Sequence, residues 1–417
     1  MNWKKPNVFA VSLAVCTLSV SLVALSGCDK PTQTAAEPTP APTPAGPQPP
    51  QIDYEKIRPN ELGAIPVIMY HEVRGTKNAN LIRSVDSFRK DLEILHKNGF
   101  YPVNMGDVVS NNINVPAGKS PVVLTFDDAR PSQFQLIETA DSYKVDPNSA
   151  VGVIEEFHKK HKDEWPLRGT FFVLPQSKTT LAPFGQAGLG DQKMAYLIKQ
   201  GFEIGNHSTS HPNFRNLTPE QIQQEIGYAH KTITTAVPEA KIQVLALPMG
   251  KLPKDKDKLP YLLKGEFEGV PYEYQAAMKA AWRPIPSPAS KEYNPLDLER
   301  IDSIDGTNGI RDWVKKLTTG TNVMRMTRYI SDGDPNVVSF PKTEEAKADI
   351  ARIEKQGKLA NAYELSGGGA KPIVGVVEPS APGEPRRIDT SPPGQNRIQR
   401  TASEDNPVRV IEQTGGG

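Results

Sequence analysis

Two short stretches of this 417-residue chain carry side chains whose types and spacing could do chemistry. The first is Leu124-Thr125-Phe126-Asp127-Asp128. Neighbouring residues on a regular strand point to opposite faces, but where a strand ends and its pleat breaks, both carboxylates can turn into one pocket. Paired acids commonly divide the labour, one binding a cation and the other exchanging protons; the same dipeptide also serves as a turn or helix cap. The second is Glu203-Ile204-Gly205-Asn206-His207-Ser208-Thr209-Ser210-His211. Histidines at i and i+4 present their rings on one side of a helical turn, a spacing suited to one divalent metal. An Asp joining two His supplies three protein ligands and leaves a position for water, the arrangement of a catalytic rather than a structural zinc site. The chain has seven histidines, and these two directly follow a buried-strand run.

Positioning such groups requires a scaffold, and strand and helix signals alternate along the chain. Short apolar runs at 65–70, 122–126, 169–174, 202–205 and 244–248 predict buried strands. Between them, 87–98 has Phe88, Leu92 and Leu95 at helical spacing, 151–160 is helical, and 191–200 sets Met194, Leu197 and Ile198 on one face. Thr218-Pro219-Glu220-Gln221 is a helix start with Pro at the first position and the pattern of a capping box, followed by an apolar stripe through Ile222, Ile226 and Ile233; a later helix is expected over 308–317. This alternation predicts an α/β fold, a parallel sheet or barrel covered by helices. In such folds the chemistry gathers at the C-terminal ends of the strands, where both motifs fall.

The ordered series Pro66-Val67-Ile68-Met69-Tyr70-His71, Thr125-Phe126-Asp127-Asp128, Gly169-Thr170-Phe171-Phe172-Val173 and 203–211 resembles the polysaccharide deacetylase family, carbohydrate esterase family 4. The likeness runs over roughly 65–341 and includes Tyr329-Ile330-Ser331-Asp332-Gly333. It implies a distorted (β/α) barrel of parallel strands ringed by helices. It also implies Asp127 as general base, Asp128, His207 and His211 as ligands of a divalent metal, most often zinc, and the backbone N–H of Met249 as an oxyanion donor. The expected reaction is attack by metal-activated water on an acetyl group of an N-acetylglucosamine-containing polysaccharide, peptidoglycan or an exopolysaccharide.

Three positions depart from the family pattern. Ala246-Leu247-Pro248-Met249-Gly250 stands where the family has Arg-x-Pro-Tyr-Gly, so the arginine that steadies the catalytic aspartate is absent there; Arg300 or Arg283 could replace it. No histidine follows His230 to act as the family's late general acid, and Ala129 follows the acidic pair where Gly is usual. The missing groups point to one alternative, a catalytically inactive, membrane-tethered carbohydrate-binding protein. A further alternative is an O-acetyl esterase on xylan-like polymers, since the same metal-water attack cleaves esters more easily than amides. His71 reads as a core histidine next to the pocket, and His158 and His161 as solvated surface. Tyr261, Tyr272, Tyr274 and Trp282 read equally as a sugar-stacking wall or as packing.

The rest of the chain bounds these readings. Lys4 and Lys5, an apolar stretch from Val8 to Leu25 and the ending Leu25-Ser26-Gly27-Cys28 resemble a bacterial lipoprotein signal, with a transmembrane anchor as the other reading. The expected organisation is a signal peptide over 1–27, a Pro-rich linker over 28–53 behind lipidated Cys28, a catalytic domain over 54–365 and a disordered tail over 366–417. That places the protein outside the cytoplasm, anchored to the membrane of the cell envelope. Cys16 and Cys28 are the two cysteines of the chain, so a thiolate metal site in the body of the protein is excluded. A net charge of +1 gives no basic surface for nucleic acid.

Overall fold

A computed structural model describes residues 47–175, 183–320 and 326–365, with the backbone of 371–372. The expected signal peptide, Cys28, most of the linker and nearly all of the tail lie outside the described residues. Among those described, no helix is long and apolar enough to cross a membrane.

Eight strands form one parallel sheet: β1 Val67–Tyr70, β2 Phe100–Val103, β3 Ser120–Phe126, β4 Thr170–Val173, β5 Glu203–Asn206, β6 Val244–Ala246, β7 Ala276–Met278 and β8 Ile301–Asp302. Their order is β7-β6-β5-β4-β3-β1-β8, with β2 paired to the first half of β3. Met278 makes a single parallel bridge to Leu298, just ahead of β8, and the Lys279 N–H donates to the Leu298 carbonyl at 2.8 Å. The two sheet edges therefore approach each other, and the sheet curls into a distorted, incomplete barrel.

All seven residues of β3 are buried, the pattern of a parallel strand covered on both faces. Side-chain alternation divides the core in two. Val67, Val123, Phe172, Val244, Ala246 and Met278 cluster on one face, inside the barrel. Ile68, Leu124, Phe126, Phe171, Val173 and Ile204 meet the helices on the other. Those helices are α1 Val85–Lys97, α2 Ala150–His161, α3 Gly190–Gln200, α4 Pro219–Ala236 and α5 Ile310–Thr319. The capping box expected at Thr218 is present: its hydroxyl accepts the Gln221 N–H at 3.3 Å, and the Gln221 side chain accepts the Thr218 N–H at 2.9 Å. Phe88, Leu92 and Leu95 of α1 are fully buried, as their spacing predicts.

Beyond the barrel, β9 Val337–Pro341 and β10 Leu359–Glu364 pair in parallel. Two buried carboxyls tie this ribbon to the chain entering β1. Glu61 accepts from Tyr329 Oη, Ser331 Oγ and the Ser339 N–H, and Asp332 accepts from Ser339 Oγ at 2.6 Å. Burial, reinforced by the Asp332 charge, pushes Glu61 well above the usual carboxylate range. Burial also raises Asp332 to about 6, against the lowering effect of its hydrogen bonds from Ser339 and Asp334. A carboxyl whose folded pKa lies above its unfolded value contributes stability that is complete below the unfolded pKa and lost as pH rises through the folded one. The protein should therefore lose up to about 3 kcal/mol at Asp332 between pH 4 and pH 7. Asp332→Asn is expected to flatten that decline, measured as Tm across this range; an unchanged slope would dismiss Asp332 as its source.

Candidate active site

Strand register brings the site residues together. Tyr70 lies opposite Phe126, so His71 and Asp127 leave adjacent strands side by side, and the Asp127 N–H donates to the Tyr70 carbonyl at 2.9 Å. Gln133, fully buried, donates its side-chain amide to the carbonyls of His71 (2.6 Å) and Asp127 (2.5 Å) and holds the two strand ends together from below. Directly after β3 the chain turns left-handed, with φ of 75° at Asp128 and 47° at Ala129. This turn replaces the alternation of the strand and lets both carboxylates face one pocket. It costs roughly 1–2 kcal/mol per residue, which accounts for the glycine expected in place of Ala129.

The helical turn expected for His207 and His211 does not form. After β5 the backbone enters a loop with φ of 68° at Ser208 and 60° at His211. Local polar groups hold it there. Asn206 Oδ1 accepts the Ser208 N–H at 2.7 Å, and Ser208 Oγ accepts the His211 N–H at 3.1 Å. From α4, the Glu225 carboxylate accepts the N–H groups of Thr209 (3.1 Å) and Ser210 (2.9 Å). The imidazoles nevertheless converge, with ring centroids 5.0 Å apart.

Asp128 divides its two oxygens. Oδ1 lies 3.3 Å from His207 Nε2 and 3.7 Å from His211 Nε2, while Oδ2 accepts from Arg130 Nε and Nη2 at 3.0 and 2.9 Å. Burial works against its charge, but His207, His71 and Arg130 outweigh burial and hold the carboxyl far below its ordinary range. Ligand atoms of Asp128, His207 and His211 all lie within 4.8 Å of one another.

The tautomer of His207 tests whether this cluster suits a cation. Its Nδ1 lies 2.9 Å from the Ala246 carbonyl, which can only accept. Nδ1 therefore carries a proton, and in the neutral ring Nε2 presents a lone pair. That buried Nε2 has no hydrogen-bond partner and faces another acceptor, Asp128 Oδ1. With the ring neutral, two lone pairs face each other across 3.3 Å and call for a positive charge between them, either a metal ion or the proton that Asp127 and Asp128 favour on His207 against its burial. Donors about 3.3–3.5 Å apart are also what two ligands 2.0–2.2 Å from one tetrahedral ion would show. The donor set fits a divalent metal.

Asp127 is 2% exposed and held by Arg300, with Nη1 2.6 Å from Oδ1 and Nη2 2.7 Å from Oδ2. Arg300 itself donates through Nε to the Lys279 carbonyl at 3.1 Å and lies over the Phe172 ring. Burial opposes ionisation of Asp127, but Arg300 and then His207 overcome it, and the carboxyl is shifted below its usual value. Of the two arginines considered as replacements at the Ala246 position, Arg300 reaches Asp127, whereas Arg283 pairs with Glu299 at 3.1 Å. His71 is half-buried rather than a core residue. Burial lowers its pKa, while the charges of Asp127 and Asp128 oppose that shift. Met249 sits in a left-handed turn behind β6, φ 56°, with its side chain exposed.

Tyr272 and Tyr274 stack on each other inside the core, 5.4 Å between centroids, and so form no open wall. Trp282 is 47% exposed and stacks on Trp313. Arg130, Gln133 and Glu225 are contributions that sequence reasoning missed. Arg130, two residues after Asp128, offered the clearest signal of the three.

The family model described as polysaccharide deacetylase matches residues 114–262. Among solved structures, the chain is similar to the Streptococcus pyogenes deacetylase PplD in complex with acetate, at 21% identity and TM-score 0.45, covering 60% of this chain and 97% of that one. It is also similar to IcaB from Ammonifex degensii (18%, TM-score 0.40, 61% and 96%) and to a de-N-acetylase from Aggregatibacter actinomycetemcomitans (14%, TM-score 0.41, 60% and 99%). Residues 114–262 of this chain thus form a polysaccharide deacetylase domain, the domain of a hydrolase.

Proposed function

We propose that this protein is a metal-dependent N-deacetylase acting on N-acetylglucosamine polymers outside the cytoplasm, anchored to the membrane through lipidated Cys28. The observation that carries the catalytic part is the convergence of Asp128, His207 and His211 beside an Asp127 carboxylate clamped by Arg300. Asp128 Oδ1, His207 Nε2 and His211 would hold the ion, with zinc the natural choice for two imidazoles and one carboxylate. A bound divalent cation supplies Lewis acidity for the acetyl carbonyl and for the attacking water.

The chain's own groups do the rest. Asp127 takes a proton from the attacking water while Arg300 keeps its carboxylate ionised and fixed in plane. The Met249 N–H is the candidate donor to the oxyanion. His71, which leaves β1 beside Asp127 and lies outside the ligand set, is the candidate to give a proton to the departing amine, with the Asp127 and Asp128 charges opposing the lowering of its pKa by burial. Water adds to the carbonyl carbon, the C–N bond breaks, and acetate and a free sugar amine leave.

The missing late histidine and Ala246 point toward an inactive binder; against that, Arg300 binds Asp127 from the residue before β8, and His71, directly after β1, is the candidate for the proton donor. The test is acetate release from N-acetylated chitooligosaccharides and peptidoglycan, with acetylated xylan to separate amide from ester cleavage. Chelation should abolish release and zinc should restore it. Stoichiometric metal with no release from any acetylated glycan would establish the binder instead. His71→Asn should lower kcat by roughly 10²-fold with metal content intact; an unchanged kcat would exclude His71 as the proton donor.

A further inference from the structure

We propose that His96, His161 and Glu164 form a second divalent-cation site, structural in role, at the opposite end of the barrel from the catalytic cluster. His96 lies in the last turn of α1, His161 is the final residue of α2, and Glu164 follows in the turn behind it. Ligand atoms of all three lie within 4.8 Å of one another. His96 Nε2 is 2.6 Å from Glu164 Oε2, and the two imidazole centroids are 4.2 Å apart.

The rings are held in place rather than splayed into solvent. Phe157 packs against His161 at 4.5 Å and against His96 at 5.8 Å, and fully buried Trp165 lies 6.2 Å from His96. The backbone is set as well, since the N–H groups of Glu164 and Trp165 both donate to the His161 carbonyl, at 2.8 and 2.9 Å. Two imidazoles and a carboxylate on an aromatic floor make a preorganised donor set that selects zinc or another borderline first-row divalent ion. Location favours a cation too, because the C-terminal ends of α1 and α2 meet here and each carries partial negative charge. Both helices run back from the C-terminal ends of their strands, so this cluster lies at the strands' N-terminal ends, the face that carries stability rather than chemistry in such barrels. A cation replacing the proton between His96 and Glu164 would clamp α1 to α2.

The experiment measures zinc bound by the tag-free full chain after equilibration with zinc and removal of excess, alongside thermal unfolding. Wild type should retain two equivalents, His207→Ala one, and both His96→Ala and the milder His161→Gln one. Zinc at about 100 Kd should raise the Tm of His207→Ala by roughly 5 °C, and this rise should vanish when His161→Gln is added. Acetate release should be unchanged in His96→Ala and His161→Gln. One equivalent in wild type together with none in His207→Ala overturns the proposal, as does an undiminished count in both His96→Ala and His161→Gln. Failure of the catalytic reading would show differently, as zinc retained in full by His207→Ala.

Discussion

Asp127→Asn should lower kcat for acetate release by about 10²–10⁴-fold and leave KM and bound metal nearly unchanged. The separation follows from the division of labour between the adjacent acids. Asp128 directs Oδ1 to both imidazoles, whereas the nearest approach of Asp127 to the ligand set is 3.8 Å, from Oδ2 to His207 Nε2. Asn has the same shape and keeps an oxygen for Arg300, so the pocket should stay assembled. What it lacks is a basic carboxylate to receive a proton from water. Steady-state kinetics with metal analysis on the same preparation reads both quantities. A fall of less than about tenfold would place the base elsewhere; loss of metal along with activity would place Asp127 among the ligands.

Much of the scaffold was legible because the strands that flank the site are buried on both faces and read as apolar runs. Thr170–Val173, Glu203–Asn206 and Val244–Ala246 lie within a residue or two of where those runs predict them. The strands that escaped are short or mixed. Phe100–Val103 contains Pro102, Ala276–Met278 has three residues and Ile301–Asp302 two, too few for any period to show. The candidate site was legible to the extent that its chemistry is written in adjacent residues: Asp127 with Asp128, His207 with His211. The conformation of the second pair was misjudged, because i, i+4 spacing implies a helix only when the backbone is free to form one. Asn206 and Glu225 offer the loop's N–H groups better-placed acceptors. Groups supplied by distant elements carried the weakest signal. Glu225 reaches the loop from a helix 14–18 residues further on, and nothing in its neighbourhood along the chain marks it.

Arg300 is the site residue whose loss should affect the whole molecule. Arg300→Met leaves the Asp127 carboxylate buried without the two hydrogen bonds that hold its charge, an arrangement that typically costs 3–5 kcal/mol. Deacetylation should fall as well, since the carboxyl loses the main influence keeping it below its usual range and becomes free to rotate. Arg300→Lys restores a charge but not the planar fork, and should recover only part of either property. The decisive variant is the double one. Asp127→Asn in the Arg300→Met background removes the stranded charge, so stability in urea should largely return while activity stays lost. If Arg300 were simply packing over Phe172, the two substitutions would add. Its third contact gives the coupling a structural reach, because Nε binds the Lys279 carbonyl just beyond β7, and Arg300 itself immediately precedes β8. The side chain that orients the candidate base thus also closes the seam between the two sheet edges. A loosened seam and a misplaced carboxylate should therefore appear together, and amide exchange around Met278 and Leu298 should rise in Arg300→Met but not in Asp127→Asn.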